Sequence, residues 1–509
     1  MMYSYNLLLR GTKLAKNFIF TTTTLRYTHN TPKQQTFTAY YPKKIHPPQL
    51  QPDALPKSNT SNQDSKRLEP TNDLFPEENY IQPTPGPDDR IIIAMSSGVD
   101  SSLCAALYAS KYKNVHGIYM ANWRQSSQCT ERDWRDVQTV CKQLDISCER
   151  INLELEYWQN VFQPMIDGYA KGLTPNPDVG CNRYVKFGRL CEIMEERYGN
   201  EKGKWWLVTG HYARVMKKIV KEPSLAHENV DTSIVKQTPT PTNDTDFKAN
   251  EEYHLLRGLS TRKDQSYYLS TISPLILPHL LLPLGHQLKS QTRQLAQNYK
   301  LHTSQKPDLQ GLCFVEPSNH SNFRDFLAEY IEPNPGNIVT TDGKVWGKHK
   351  GLWHATIGQK SSVLMPQGDP QYKGVWFVAE KNVAKNEIVI VRGHDNPLLF
   401  SQVVTLDTCE WVYEWEKVQQ LKEESAVSFQ FSSLSKAILV KRITVLGNKQ
   451  FGKQLKIELI EPVRAVAPGQ QGVLYRGNQV LGSGMIVKTE RSNNENNKED
   501  CVNSESKTE

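Results

Sequence analysis

Between Ser96 and Ser102 the chain reads SSGVDSS, a hydroxyl-rich turn around one glycine. Ile91, Ile92, Ile93 and Ala94 precede it as a short apolar run rich in β-branched residues, the pattern of a central parallel strand covered on both faces. Leu103, Ala106 and Leu107 follow at helical spacing, with a serine pair able to cap the helix start. A strand that feeds a helix through such a turn aims backbone N–H groups at one point, at the positive helix end. The chemistry this suits is holding an anion, phosphate foremost. A tight connection without a ligand is the plain alternative.

What the turn lacks narrows the chemistry. A Walker-type loop carries a lysine that neutralises the β- and γ-phosphates, and here no lysine follows Gly98 until Lys111. The SxGxDS form is instead that of pyrophosphate loops, which serve cleavage of ATP between the α- and β-phosphates. Thiol chemistry is the second possibility. The nine cysteines include no CxxC pair, which argues against a zinc ribbon and against a disulfide-rich secreted scaffold. Cys104, Cys141, Cys148, Cys191 and Cys409 lie in helix- or strand-like patterns and read as small core residues, and Cys501 lies in a polar tail. Cys181 and Cys313 differ, because both interrupt loop-like sequence rich in Gly, Pro and Asp.

The elements that must position these groups follow from the surrounding pattern. VHGIYMANW (Val115 to Trp123) and CERINL read as strands, DWRDVQTVCKQLD as the helix between them, and KWWLVTGHYARV as a fourth strand running into Gly210 and His211. This alternation predicts an α/β doubly wound parallel sheet, whose ligands gather at the carboxyl ends of the strands. SSGVDSS, Met120 and the Gly210–His211 turn all fall there. Residues 222–250 lack an apolar period and read as a surface insertion. After about Phe326 come short alternating stretches separated by Gly and Pro, among them GLWHAT, GVWFVAE, NEIVIVRG and GVLYRGNQVLGSGMIV. They predict a small β-rich central domain and a C-terminal β-barrel.

With 509 residues, 38% of them hydrophobic, the chain can support two or three cores. The formal charge is +7, yet residues 1–52 hold Arg10, Lys13, Lys16, Arg26, Lys33, Lys43 and Lys44 and no acid. The remainder is balanced, so any nucleic-acid site must be a local patch. The first thirty residues combine spaced basic residues, hydroxyls, Leu and Phe in the manner of a mitochondrial transit peptide, which predicts the matrix as location. Residues 46–88 are Pro-rich and polar and read as an unstructured linker. The most apolar stretch, ISPLILPHLLLPLG, is broken by prolines, and no membrane span is expected. The expected divisions are a transit peptide at 1–45, the linker at 46–88, an adenylation and thiolation domain at 89–320, a central domain at 321–398, a barrel at 399–490 and a disordered tail at 491–509.

Five longer stretches carry a resemblance. GLTPNPDVGCNRYVKFGRL (Gly172 to Leu190), LVTGHYARV, RGLSTRKDQSYYLSTI (Arg257 to Ile272), DLQGLCFVEPSNHSNFRDFL (Asp308 to Leu327) and PGQQGVLYRGNQVLGSGMI (Pro468 to Ile486) resemble, in order, the motifs of the tRNA-specific 2-thiouridylase family. With the N-terminus, the chain is similar to its mitochondrial members. The resemblance implies a pyrophosphate-loop ATPase domain that adenylates the C2 oxygen of the wobble uridine and replaces it with sulfur from a cysteine persulfide. It assigns Ala94, Met95, Ser96, Ser97, Gly98, Val99, Asp100 and Ser101, with Met120 and Gly210, to ATP, and gives Asp100 a part in holding Mg²⁺; it implies no other metal. By the same resemblance Cys313 receives the sulfur, and Cys181 frees it or attacks the activated base, leaving a Cys181–Cys313 disulfide for a reductant. Asp178 becomes the general acid/base, and Asn176, Pro177 and Asp178 touch the target uridine. His211, Lys263, Asp264, Gln265 and Gln470 become tRNA contacts. The implied partners are tRNA (the lysine, glutamate and glutamine acceptors), an upstream sulfur-relay or cysteine desulfurase protein, and the reductant.

Three departures stand out. Ser97 replaces the usual first glycine of the loop and adds a Cβ where phosphate approaches. GQKSS at Gly358 to Ser362 stands for GQRKG, and SFQFSS around Gln430 lacks the arginine of a basic tRNA-contact stretch. A pyrophosphate-loop amide ligase would explain the loop, though neither the cysteines nor the barrel. A non-catalytic tRNA-binding protein finds its support in Ser97. An iron–sulfur variant built on Cys181 and Cys313 lacks a third cysteine of suggestive spacing.

Overall fold

The computed structural model describes residues 79–123, 127–219, 251–308, 323–419, 426–447 and 453–491. The expected transit peptide, the 222–250 insertion, Cys313, Cys501 and the tail after Arg491 lie outside the described residues.

Ile91, Ile92 and Ile93 are fully buried, and their strand, Arg90–Met95, is the middle of a five-stranded parallel sheet. Its neighbours are Val115–Ala121 and then Ser147–Asn152 on one side, and Trp205–Val208 and then Leu280–Leu281 on the other. Ile91 is in register with Val115 and with Trp206. Successive side chains point to opposite faces. Ile91 and Ile93 therefore pack with Leu103, Ala106, Val137, Val140 and Ala296, which come from the helices Val99–Ala109, Ser127–Gln143 and Lys289–Asn298. Ile92 packs with Tyr157, Phe162, Val185 and Leu190 on the other face. Each such isoleucine contributes roughly 1.5–3 kcal/mol by leaving water. The sheet is thus doubly wound, as its apolar run predicts.

Two expectations about strands are corrected. KWWLVTGHYARV is two strands: Trp205–Val208 belongs to the parallel sheet, and Ala213–Lys218 pairs antiparallel with Tyr253–Arg257 in a different sheet. The leucine-rich stretch set aside as a membrane candidate supplies the fifth parallel strand, held to two residues between turns that start at Pro274 and Pro283. No helix among the described residues is long and apolar enough to cross a membrane.

The strands Phe400–Trp411, Val427–Gln430, Ile438–Leu446, Gln454–Arg464, Gln471–Arg476 and Gln479–Glu490 form an antiparallel barrel. It closes because Gln471–Arg476 pairs with both Val427–Gln430 and Gln479–Glu490. Val404, Leu406, Phe429, Leu455, Ile457 and Leu459, all fully buried, fill it. The barrel is not a separate bead: Gln479 pairs with Leu256, so its sheet continues through Tyr253–Arg257 and Ala213–Lys218 to Tyr80–Ile81. Tyr80 is buried, and its hydroxyl meets His254 Nδ1 at 2.7 Å. The unstructured linker expected through residue 88 is therefore corrected over its described part, because Tyr80–Ile81 is a strand of this sheet.

Between these units lies a four-stranded sheet of Gly336–Val339, Val345–His349, Trp376–Asn382 and Glu387–Arg392. GLWHAT is not one of its strands. Leu352 and Trp353 are both buried although adjacent, which breaks the alternation a half-buried strand requires, and Leu352–His354 forms a 3₁₀ turn.

Candidate active site

Gly98 is the N-cap of the helix Val99–Ala109, and no side chain caps it. The serines do something else. Ser101 Oγ accepts the Ser96 N–H at 2.9 Å, and Ser102 Oγ donates to the Gly98 carbonyl at 2.8 Å. They brace the turn and leave the first-turn amides to be satisfied by water or ligand. Ser97 is buried, and its hydroxyl donates to Asp133 Oδ1 at 2.6 Å, while Ser96 is exposed. The extra Cβ is thus turned into the seam with the helix Ser127–Gln143, and Ser96 occupies the open side of the loop.

Ala94 and Met95 end the central strand, and Met120, half-buried and in register with Ile151, approaches the end of its neighbour. Gly210 lies on the other side of the loop. A Cβ built on Gly210 would come within 2.9 Å of the Asp100 Cβ and 3.2 Å of the Ser101 nitrogen, so glycine is what permits the approach. The next two residues frame it. His211 Nδ1 meets Thr209 Oγ1 at 2.7 Å, and Tyr212 donates its hydroxyl to Asp100 Oδ1 at 2.9 Å. Burial, helped by the Lys186 ammonium, pushes the His211 pKa down to about 3, so the imidazole is neutral at physiological pH.

The carboxylate expected to help hold Mg²⁺ has other partners. Lys289 places Nζ 2.7 and 2.8 Å from the two oxygens of Asp100 and 3.1 Å from Asp308 Oδ1. Asp308 also receives Lys263 at 2.8 Å and Arg293 at 2.5 Å. On the far side of the loop Lys306 Nζ is 3.1 Å from the Ser97 carbonyl oxygen and 2.5 Å from Asp136 Oδ2. Among the described residues no group of three His, Cys, Asp or Glu side chains forms a metal site.

Cys181 opens a π-helical segment, Cys181–Arg189, that continues the short helix Pro177–Gly180. Such segments widen the helix and occur frequently at functional sites. Asn176 caps the short helix by accepting the Asp178 N–H at 3.1 Å, and Pro177 occupies its first turn. Cys181 is buried at 3% exposure. Asp178 is reached by solvent yet surrounded by protein, and this desolvation, opposed by Lys186, raises its pKa above the usual carboxylate value. From the same π-helical segment Phe187 packs its ring 5.5 Å from that of His211. The thiol-bearing helix and the phosphate loop thus meet at the Gly210–His211 turn.

The approach to Asp178 is clamped by both later domains. Thr174 N–H donates to the Pro468 carbonyl at 2.8 Å, and Gln470 Nε2 donates to the Thr174 carbonyl at 2.6 Å. Lys381, in the central sheet, donates to the Gly172 carbonyl at 2.9 Å, and burial pulls its pKa down to about 8.

Residues 89–317 match the family model described as a tRNA methyl transferase HUP domain, 324–392 a tRNA methyl transferase PRC-barrel domain, and 401–486 an aminomethyltransferase beta-barrel domain. The mitochondrial tRNA-specific 2-thiouridylase 1 of Saccharomyces cerevisiae is 43% identical over 419 residues, 80% of this chain and 93% of that relative. The chain belongs to the tRNA-specific 2-thiouridylase family. The Schizosaccharomyces pombe relative of the same name is 35% identical, covering 80% of this chain and 92% of its own length. The tRNA-specific 2-thiouridylase of Psychrobacter is 33% identical, covering 79% and 93%.

Within this 2-thiouridylase fold the expected tRNA contacts hold the protein together. Asp264 accepts from Arg257 at 2.9 Å, from the Gly258 and Ser266 amides, and from the Ser266 hydroxyl. Gln265 accepts the Tyr212 N–H at 2.9 Å, and Lys263 is paired with Asp308. Gln430, from the stretch that lacks an arginine, is buried and accepts a hydrogen bond from Arg257 at 2.8 Å. Sequence reasoning missed Asp133, Lys186, Lys289, Arg293 and Lys306. Lys186 stands within a quoted motif, five residues after Cys181, a spacing that a π-helical turn brings to one side. The others carry no local signal.

Proposed function

We propose that this chain catalyses ATP-dependent 2-thiolation of the wobble uridine of mitochondrial tRNAs, those for lysine, glutamate and glutamine, in the matrix, with residues 1–45 as the transit peptide. The observation that carries the reading is the Gly210–His211 turn, packed on Asp100 of the phosphate loop on one side and on Phe187 of the Cys181 segment on the other. A nucleotide on the loop and a base beside Cys181 are then within reach of one another. The residues fit ATP, because the loop is uncapped, Ser96 is open and Gly210 leaves room.

ATP supplies the adenylate that turns the C2 oxygen of uridine into a leaving group. Asp178, which is reached by solvent beside Cys181 and whose surroundings raise its pKa above the usual carboxylate value, takes the N3 proton of uracil as that oxygen attacks the α-phosphate. His211, neutral and tied to Thr209, offers its other ring nitrogen to the base without adding charge. Cys313 brings sulfur as a persulfide from a relay protein. Cys181 attacks the Sγ of the Cys313 persulfide, so that the Cys181–Cys313 bond forms as the bond to the outer sulfur breaks; the hydrosulfide released displaces AMP from C2, and the disulfide is opened by a two-electron reductant. Clamping by Gln470 and Lys381 keeps the Asn176 to Asp178 loop in place, since small misplacement of reacting groups is costly.

Mass spectrometry of mitochondrial tRNA from cells lacking this chain tests the reading. The 2-thiouridine should vanish from those tRNAs and return with the wild-type chain; unchanged 2-thiouridine would reject it.

A further inference from the structure

The phosphate loop has no lysine of its own, yet two ammonium groups flank it in the fold. Lys289 approaches from the Asp100 side and Lys306 from the Ser97 side, the latter hydrogen-bonded to the loop backbone itself. Both come from one stretch: Lys289 begins the helix Lys289–Asn298, and Lys306 follows the 3₁₀ turn His302–Gln305. Each is held by carboxylates, Asp100 and Asp308 for Lys289 and Asp136 for Lys306. Neither is sealed away, with side-chain exposures of 15% and 30%. Lys263 and Arg293 on Asp308 make the surroundings of Lys289 net positive, three cations against two carboxylates.

We propose that Lys289 and Lys306 form the pyrophosphate subsite of this enzyme. The inference rests on the adenylation reading and supplies what that reading leaves out, the groups that meet the leaving charge. As the uridine C2 oxygen forms its bond to the α-phosphorus, the bond from that phosphorus to the α–β bridging oxygen breaks, and the electron pair departs with pyrophosphate. The N3 proton goes to Asp178. The charge that grows on the bridging and terminal oxygens is met by two ammonium groups already positioned at the loop, which costs little reorganisation. The carboxylates keep the lysines in place until the phosphates replace them as partners. A Walker loop achieves the same with a lysine next to its glycine; here the fold carries the cations in from 189 and 209 residues downstream of their loop partners, on the order of one domain length.

The test is titration calorimetry on the full chain, with magnesium pyrophosphate and with AMP as separate probes, beside thermal melting. Lys289→Ala and Lys306→Ala should each weaken pyrophosphate binding by about tenfold or more, the worth of a charge-assisted hydrogen bond, and leave AMP binding unchanged. The double variant Asp100→Asn with Lys289→Ala should stay weak. If Lys289 only neutralised Asp100, that double variant would regain wild-type affinity, and such recovery overturns the role of Lys289. Should alanine impair folding, Lys289→Gln and Lys306→Gln, which keep a hydrogen bond to the carboxylates, must show the same loss. Pyrophosphate affinity unchanged in folded variants overturns the subsite and leaves adenylation standing. A wild-type chain that binds neither AMP nor pyrophosphate overturns the adenylation reading and this subsite with it.

Discussion

Gly210 packs so closely on Asp100 that a Cβ at Gly210 would lie 2.9 Å from the Cβ of Asp100. The neighbour it would meet is the first turn of the loop helix, including the Ser101 nitrogen at 3.2 Å, rather than the end of a flexible side chain. Gly210→Ala should therefore displace the loop. We expect about 1–3 kcal/mol lost in stability and a clear loss of ATP affinity by calorimetry, with tRNA binding retained. Wild-type ATP affinity in this variant would mean that the loop and the turn do not share a ligand.

Ser97 yields a different expectation from the one its sequence position suggests. Replacing it with glycine restores an unhindered loop on paper, but removes the hydroxyl that donates to Asp133 at 2.6 Å. Ser97→Gly should lose roughly 1–2 kcal/mol in denaturant unfolding and gain no adenylation rate. A faster enzyme would show that the Cβ does crowd the phosphate.

The two cysteines should separate by step. Cys313→Ser should accept no labelled sulfur from a donor persulfide, whereas Cys181→Ser should load sulfur and fail to thiolate tRNA. Both should still exchange pyrophosphate into ATP when unmodified tRNA is present. Because Cys181 is 3% exposed, a purely structural thiol there would instead show up as a lowered melting temperature with thiolation intact.

Asp308 should leave a signature in acid. Burial would raise its pKa, but hydrogen bonds from Lys263 and Lys289 outweigh that and hold it from 3.8 down to about 2. A depressed carboxylate adds stability that is present above the unfolded pKa and lost as pH falls through the folded one. Wild type should exceed Asp308→Asn by about 1–2 kcal/mol near neutrality, after allowance for solvent screening. That gap should close between pH 3.8 and about 2. A gap independent of pH would place the effect in packing rather than charge.

Tyr80 sets the limit of N-terminal truncation. A chain that starts at Asn79 keeps the buried ring, its pairing with Lys218 and its hydrogen bond to His254; one that starts at Pro83 loses all three. The longer deletion should cost about 3 kcal/mol or more by thermal or denaturant melting, and the shorter should be neutral to stability while abolishing import.

The chemistry-bearing turn and its setting are legible in the local residue pattern. A run of isoleucines, a glycine and a helical period are local signals, and the fold honours them in Arg90–Met95, Gly98 and Val99–Ala109. Motif order likewise determined the family, since five long stretches in register leave little room for coincidence. Where distant groups meet is set instead by the packing of the whole fold. Lys289 and Lys306 look like solvated surface lysines in any window, because a lysine at the start of a helix or after a turn has no periodicity to betray a partner. Their bonds to Asp100 and Ser97 exist only once the strand Leu280–Leu281 joins the sheet and brings the following helix against the loop helix. The same holds for Gln470 and Thr174, and for Gln479 and Leu256, which bind the barrel to the first domain. Local pattern specifies elements through short-range backbone and burial preferences, whereas a contact between residues far apart in the chain depends on how all the intervening elements pack.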